Sequence, residues 1–220
     1  MTRDIAVVFA RVPRLGTVKR RLAKQIGDRA ALRFHAQTLM HLLRMLSADR
    51  RFQTLLCATP DRATLRLPPR IRRISQGSGD LGQRMARVFQ RFPHRRVAII
   101  GCDIPQANAD DLAAAFRALG RADAAFGPAV DGGYWLVALS PRRPSRPFAR
   151  VRWSTPQARA DTLANFAHRR VALLRTLHDV DTAEDLPGLQ SPCSRRPCPE
   201  RQIHRLQPGR HNETTSAQPP

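Results

Sequence analysis

Between positions 9 and 23 the chain reads FARVPRLGTVKRRLA, where an apolar run gives way to a proline, a glycine and five basic side chains. Fixed positive charge directly after a buried strand suits a diphosphate. In open α/β sheets ligands collect beyond the carboxyl ends of the strands, and a loop leading into a helix offers backbone N–H groups and a favourable dipole to an anion. Arg11, Lys19 and Arg21 are the candidate phosphate contacts. Pro13 stiffens the loop, and Gly16 allows the backbone to approach a ligand closely. The pattern is not a G-x-x-x-x-G-K-[ST] phosphate loop, so a solvated basic loop is the competing interpretation.

Four further stretches carry groups suited to chemistry. GCDIP (101–105) puts Asp103 at the expected end of a central strand, where a carboxylate can hold a hard cation that bridges phosphate oxygens. GDLGQRM (79–85) offers Asp80 and Arg84 as ligand contacts, with a plain helix N-cap as the alternative for Asp80. DGGYW (131–135) sets Asp131 beside a permissive backbone and two aromatics, which suits a sugar or base contact or simply a hairpin turn. DVDTAEDL (179–186) holds four carboxylates. Thr182 and Asp185 fit a capping pattern at a helix start, leaving Asp179 and Asp181 free for another role.

Other chemistries lack their signatures. The seven histidines show no H-x-x-x-H or H-E-x-x-H spacing, there is no G-x-S-x-G elbow, and the four cysteines form no paired C-x-x-C knuckles. The formal charge of +21 would ordinarily point to nucleic acid. Yet lysine occurs only at Lys19 and Lys24, arginine is spread along the whole chain, and one Tyr and two Trp give no interleaved stacking platform. Nucleic acid is therefore not the expected primary ligand. No apolar run approaches the roughly 20 residues of a membrane span, and a strand-like run starts almost at once without a leader, so the expected compartment is the cytoplasm.

The surrounding pattern shows what must position these groups. IAVVFA (5–10) and RVAIIGCD (96–103) read as strands buried on both faces, with FQTLLCAT and IRRIS as further strands. Apolar residues recur at helical spacing over 29–46, and DLGQRMARVFQRF and NADDLAAAFRAL read as helices capped by Asp80 and Asn108. Strands alternating with helices predict a mostly parallel sheet covered on both sides. ADAAFGPAVDGGYWLVAL departs from this rhythm and predicts two strands flanking a turn, one of them antiparallel. Residues 188–220 are rich in Pro, Arg, Ser and Gln without apolar period, so the domain is expected over 1–187 and a disordered tail after it.

Taken in order, FARVPRLGTVKRRLA, GDLGQRM, IIGCDIP, GPAVDGGYWLVAL, RWST and DVDTAEDL resemble the motif series of the bacterial DUF2064 family, across roughly residues 5–186. That family is similar to glycosyltransferases of the GT-A (nucleotide-diphospho-sugar transferase) fold. The resemblance implies a three-layer α/β/α sandwich with a mostly parallel mixed sheet and a Rossmann-like nucleotide half. It implies nucleotide and phosphate contacts at Arg11, Gly16, Lys19 and Arg21, and a Mg2+ or Mn2+ position at Asp103. Asp181 falls at a second metal or ligand position, and Asp131, Tyr134 and Trp153 would line the donor-sugar or acceptor side, with Asp131 a candidate catalytic base. Family members commonly read K-T-R-L where this chain has Lys19, Arg20, Arg21 and Leu22, and carry a small Ser or Thr where Cys102 stands; a thiol there is oxidisable only if exposed.

Sugar transfer explains why such parts belong together. Cleaving the anomeric bond of a nucleotide-sugar builds negative charge on the departing diphosphate, and preorganised cations at that point lower the barrier. The expected activity is thus a metal-dependent glycosyltransferase with a nucleotide-diphospho-sugar donor and an acceptor not readable from sequence. The K-x-R-L segment and the D-x-D-T-x-E-D-L ending also resemble 2-phospholactate guanylyltransferases, so nucleotidyl transfer with release of pyrophosphate is the second expectation. A noncatalytic nucleotide- or RNA-binding protein is the third, resting on charge alone.

Overall fold

The computed structural model describes residues 3–186; the tail expected over 188–220 lies outside them. Seven strands form one sheet in the order β3-β2-β1-β4-β6-β5-β7. They are β1 (Asp4–Arg11), β2 (Phe52–Thr59), β3 (Arg72–Ser75), β4 (Val97–Gly101), β5 (Ala124–Pro128), β6 (Tyr134–Leu139) and β7 (Val171–Leu173). β6 alone runs against its neighbours, pairing antiparallel with both β4 and β5. The expected mixed, mostly parallel sheet is therefore present, and its antiparallel strand follows the DGG turn. The helices are α1 (Arg20–Ile26), α2 (Asp28–Ala48), α3 (Leu81–Arg91), α4 (Ala109–Ala118) and α5 (Ala158–Ala164).

Strand alternation divides the core into two layers. Ala6, Val8 and Ala10 of β1 face the side where Leu39, Leu42, Leu43 and Leu46 of α2 and Leu112 and Phe116 of α4 are buried. Ile5 and Val7 face the other, with Met85, Val88 and Phe89 of α3 and with Phe126 and Phe166. Successive side chains point to opposite faces, so a strand segment covered on both sides must be apolar throughout, as Ile5–Ala10 of β1 and Val97–Gly101 of β4 are.

Two helix starts follow directly from single residues. Asp80 caps α3: its carboxylate accepts from Gln83 N at 2.7 Å while Gln83 Oε1 accepts from Asp80 N. Asn108 and Asp111 form the same reciprocal box on α4. Each box satisfies N–H groups that the helix itself cannot. At Thr182 the helical expectation gives way to a turn. Asp185 Oδ2 instead accepts from Asp181 N, Thr182 N and Thr182 Oγ1, spending the carboxylate on the turn.

Candidate active site

The strand order reverses between β1 and β4: β2 and β3 extend one way from β1, the remaining strands the other. In open α/β sheets a ligand crevice forms at the carboxyl ends of the strands flanking such a reversal. A cavity of about 590 Å³ lies there, lined by Arg11, Lys19, Arg21, Arg84, Asp103 and Asp181 among others. That volume is in the range of small-ligand sites, about 300–1,000 Å³. Six residues expected from sequence thus meet in one place.

Lys19 is the centre of the arrangement. Its Nζ donates to Asp103 Oδ2 at 3.0 Å and to Asp181 Oδ1 at 2.9 Å, and its side chain is only 7% exposed. Lys19 adopts a left-handed conformation (φ 46) immediately before α1, which costs a non-glycine residue about 1–2 kcal/mol. From this backbone conformation the side chain reaches both carboxylates. Burial alone would lower the Lys19 pKa, but the two carboxylates outweigh it and raise the value, keeping the ammonium charged. Asp181 reaches this point because Val180 N donates to Asp103 O at 3.2 Å, tying the C-terminal segment to the end of β4. Arg21 approaches Asp181 at 3.5 Å from a mostly exposed position.

The rest of the crevice is built by residues that sequence reasoning missed. Gln76 is buried, and its amide donates to Ala10 O and Cys57 O, clamping the ends of β1 and β2. Its Oε1 accepts from Arg84 Nη1 at 3.1 Å and so aims Arg84 into the crevice. His35 is buried with Nε2 at 2.9 Å from Arg11 O. A carbonyl only accepts, so Nε2 carries the proton, and burial lowers the ring's pKa and keeps it neutral. Nothing local in the sequence marks either residue. Their roles come from long-range packing.

Other expected site residues lie outside the crevice lining. Gly16 provides the positive φ (72) of an exposed turn and has no heavy atom within 4 Å of where a Cβ would sit, so turn geometry accounts for it. Asp80 is committed to its cap. Tyr134 packs edge-on against Phe126 with its hydroxyl beside Thr162, and burial pushes its phenol well up. Trp153 packs against Phe148 and over Gly82, where a Cβ would collide with its ring. The next residue, Ser154, does line the crevice. Asp131 is exposed and accepts from Gly133 N at 2.8 Å. Cys102 is buried and its thiol is pushed up to about 12 by burial and by Asp103, so the condition for ready oxidation is not met.

Among the described residues no group of three or more His, Cys, Asp or Glu could hold a metal ion. Two carboxylates remain. Mg2+ commonly takes one or two carboxylates and completes its shell with water and substrate phosphates. Asp103 and Asp181, each over a third exposed, fit that partial role, with Lys19 supplying the positive charge between them.

Burial raises the pKa of Asp179, with Asp131, Asp181 and Asp103 adding repulsion. A carboxyl with a raised folded-state pKa costs stability once the unfolded chain ionises, above pH 3.8. Asp179→Asn is therefore expected to raise the melting temperature at pH 7, with the gain disappearing as pH falls below the unfolded value. Thermal melts across pH 3–8 check this; an unchanged or lowered midpoint at pH 7 contradicts it.

The seven-stranded sheet, its single reversed strand and its crevice define an α/β protein of the nucleotide-diphospho-sugar transferase-like fold. The chain belongs to the family described as "uncharacterized protein conserved in bacteria (DUF2064)", whose family model matches residues 41–155. The match includes Asp103 and Asp131, while the basic loop and Asp181 lie beyond it. A protein of Desulfovibrio desulfuricans G20, provisionally named a nucleotide-diphospho-sugar transferase, superposes on 83% of this chain and 84% of its own. Identity is 28% and the TM-score 0.76. The 4-diphosphocytidyl-2C-methyl-D-erythritol synthase of Anaerococcus prevotii (13% identity; 83% of this chain, 92% of its own; TM-score 0.53) has the same fold. So does a cytidylyltransferase of Leptospira borgpetersenii (13% identity; 84% of each chain; TM-score 0.52). No curated protein matches the sequence. No helix among the described residues is long and apolar enough to cross a membrane.

Proposed function

We propose that the crevice binds the diphosphate of a nucleotide-diphospho-sugar and that the protein transfers the sugar to an acceptor. The observation that carries this reading is the convergence of Arg11, Lys19, Arg21 and Arg84 with Asp103 and Asp181 at the switch point between β1 and β4. The name of the Desulfovibrio protein, at 28% identity, supports it. In the transfer, the anomeric C–O bond breaks with its electron pair passing to the diphosphate. The acceptor hydroxyl oxygen bonds to the anomeric carbon and gives up its proton. Arg11, Arg21 and Arg84 bind and orient the phosphates, and Lys19 holds the two carboxylates in place. Asp103 and Asp181 would hold a divalent cation, which when bound supplies further charge stabilisation on the leaving oxygen. Asp131, on the turn before β6, is the candidate for the proton.

A second reading is nucleotidyl transfer. Five cationic side chains line the cavity, counting Arg20, which is more than a diphosphate alone requires and suits a triphosphate. Product analysis separates the two: nucleoside diphosphate release supports sugar transfer, and pyrophosphate release supports nucleotidyl transfer.

Asp103→Ala is expected to abolish metal-dependent nucleotide binding. If calorimetry shows that binding intact, Asp103 does not hold the metal. Steeply salt-dependent RNA binding that survives the substitution, without any nucleotide preference, would favour the noncatalytic interpretation.

A further inference from the structure

Arginine is scattered in the sequence, yet the topology gathers it. β3, β2, β1 and β4 are parallel neighbours, so their amino ends share one edge of the sheet, at the opposite end from the crevice. The chain enters each of these strands through arginine: Arg3 before β1, Arg50 and Arg51 before β2, Arg70 and Arg72 at β3, Arg95 and Arg96 before β4. Two of the seven are neutralised. Arg51 pairs with Asp49 and Asp110, and Arg96 pairs with Asp4. The other five line a single cavity of about 700 Å³, and none makes an ion pair among the described residues. The carboxylate of Asp49, also in the lining, is spent on Arg51. The carboxyl end of α2 adds a partial negative charge of about half a unit, far less than five whole positive ones.

Like charges around a concave wall focus a positive potential that a counter-charge relieves. Guanidinium forks match phosphate oxygens two at a time. The cavity is of small-ligand size, within about 300–1,000 Å³. Its one aromatic lining residue, Phe52, is 2% exposed and buried in the core, so no ring is presented for stacking a base. That disfavours a single-stranded nucleic acid as the occupant. We propose that this basal cleft is a second anion site, taking a small molecule that carries two or more phosphate groups. It is independent of the crevice and of the reaction carried out there.

The test is calorimetric titration of the full chain with inorganic tripolyphosphate at low salt. Arg50→Ser/Arg72→Ser, both at exposed positions, is expected to weaken one saturable site at least about tenfold. Arg11→Ser/Arg21→Ser should leave that site unchanged. Should the basal pair melt early, Arg70→Asn provides a second variant, because Asn tolerates the positive φ of 68 there; it should weaken the same site several-fold. Tripolyphosphate binding that is insensitive to the basal variants overturns the proposal. So does the absence of any saturable site other than one lost in Arg11→Ser/Arg21→Ser, or binding of RNA without binding of tripolyphosphate.

Discussion

Lys19→Met should destroy the crevice's phosphate binding while leaving the fold intact. The substitution keeps most of the stem and removes the charge, so Asp103 and Asp181 lose the ammonium that lies 3.0 and 2.9 Å away and repel each other instead. Removing one partner of a fully buried pair costs about 3–5 kcal/mol. Both carboxylates here are over a third exposed and screened by water, which reduces the expected loss of stability to about 1–2 kcal/mol. Affinity for a nucleoside diphosphate should fall further. With their counter-charge gone, the two carboxylates repel phosphate; the loss of one charge-assisted interaction, about 1.5–3 kcal/mol, sets the scale at roughly tenfold to more than a hundredfold. The stability difference has a defined pH window. Because the folded-state pKa of Lys19 is raised, its contribution is complete below 10.5 and disappears as pH rises through the folded value. Denaturant titrations at pH 7 and pH 11 should therefore show a difference that shrinks at the higher pH. A difference that grows would contradict the ion-pair assignment.

Gly132→Ala should be among the most damaging single-methyl changes in the protein. Gly132 has φ 87, and a Cβ built there would overlap the backbone carbonyl and Cα of Pro156. Backbone cannot move aside as a flexible side chain can. The same contact joins the β5–β6 turn to the start of α5, since Arg159 N donates to Gly132 O at 3.1 Å. Strain from the positive φ and overpacking together should cost about 2–4 kcal/mol. For a domain of this size that lowers the melting temperature by roughly 5–15 °C. Gly133→Ala is the control: its Cβ would meet only the Asp131 carboxylate, at 3.0 Å, and no positive φ is involved. A Gly132 variant as stable as the Gly133 variant would show that the turn adapts.

The fold was legible wherever local chemistry alone decides structure. Asp80 and Asn108 mark helix starts because a capping box needs only four consecutive residues. The runs at 5–10 and 96–103 mark strands covered on both faces, and DGG marks the turn into the reversed strand. β7 spans three residues and α5 seven, too short for any periodicity to show. α1 and α2 are separated by Gly27, which has a positive φ (85).

The candidate site was legible as a set of residue types but not as an arrangement. Lys19 meets Asp103 across 84 positions and Asp181 across 162; only the strand order makes them neighbours. Asp181 was expected beside Asp103 as a metal partner, whereas the Lys19 bridge was not foreseen. Gln76 and His35 escaped notice because an isolated Gln or His carries no signal until the strand ends it clamps are known. Tyr134 stands beside the paired glycine of DGGYW, and Trp153 enters only through the family resemblance. The glycines instead make room for rings: a Cβ on Gly82 would strike Trp153, and one on Gly127 would strike Trp135. The arginines misled in the opposite direction, appearing diffuse until parallel strands aligned their starts.

The most direct test of the central claim is calorimetric titration of the full chain with a panel of nucleotide-diphospho-sugars, nucleoside diphosphates and nucleoside triphosphates. Each titration would be run with Mg2+ or Mn2+ and again with chelator. The expected result is saturable, metal-dependent binding that prefers one nucleotide-diphospho-sugar and is lost in Lys19→Met and in Asp103→Ala. Absence of nucleotide binding, or binding that neither variant weakens, would contradict the assignment of the crevice as the donor site.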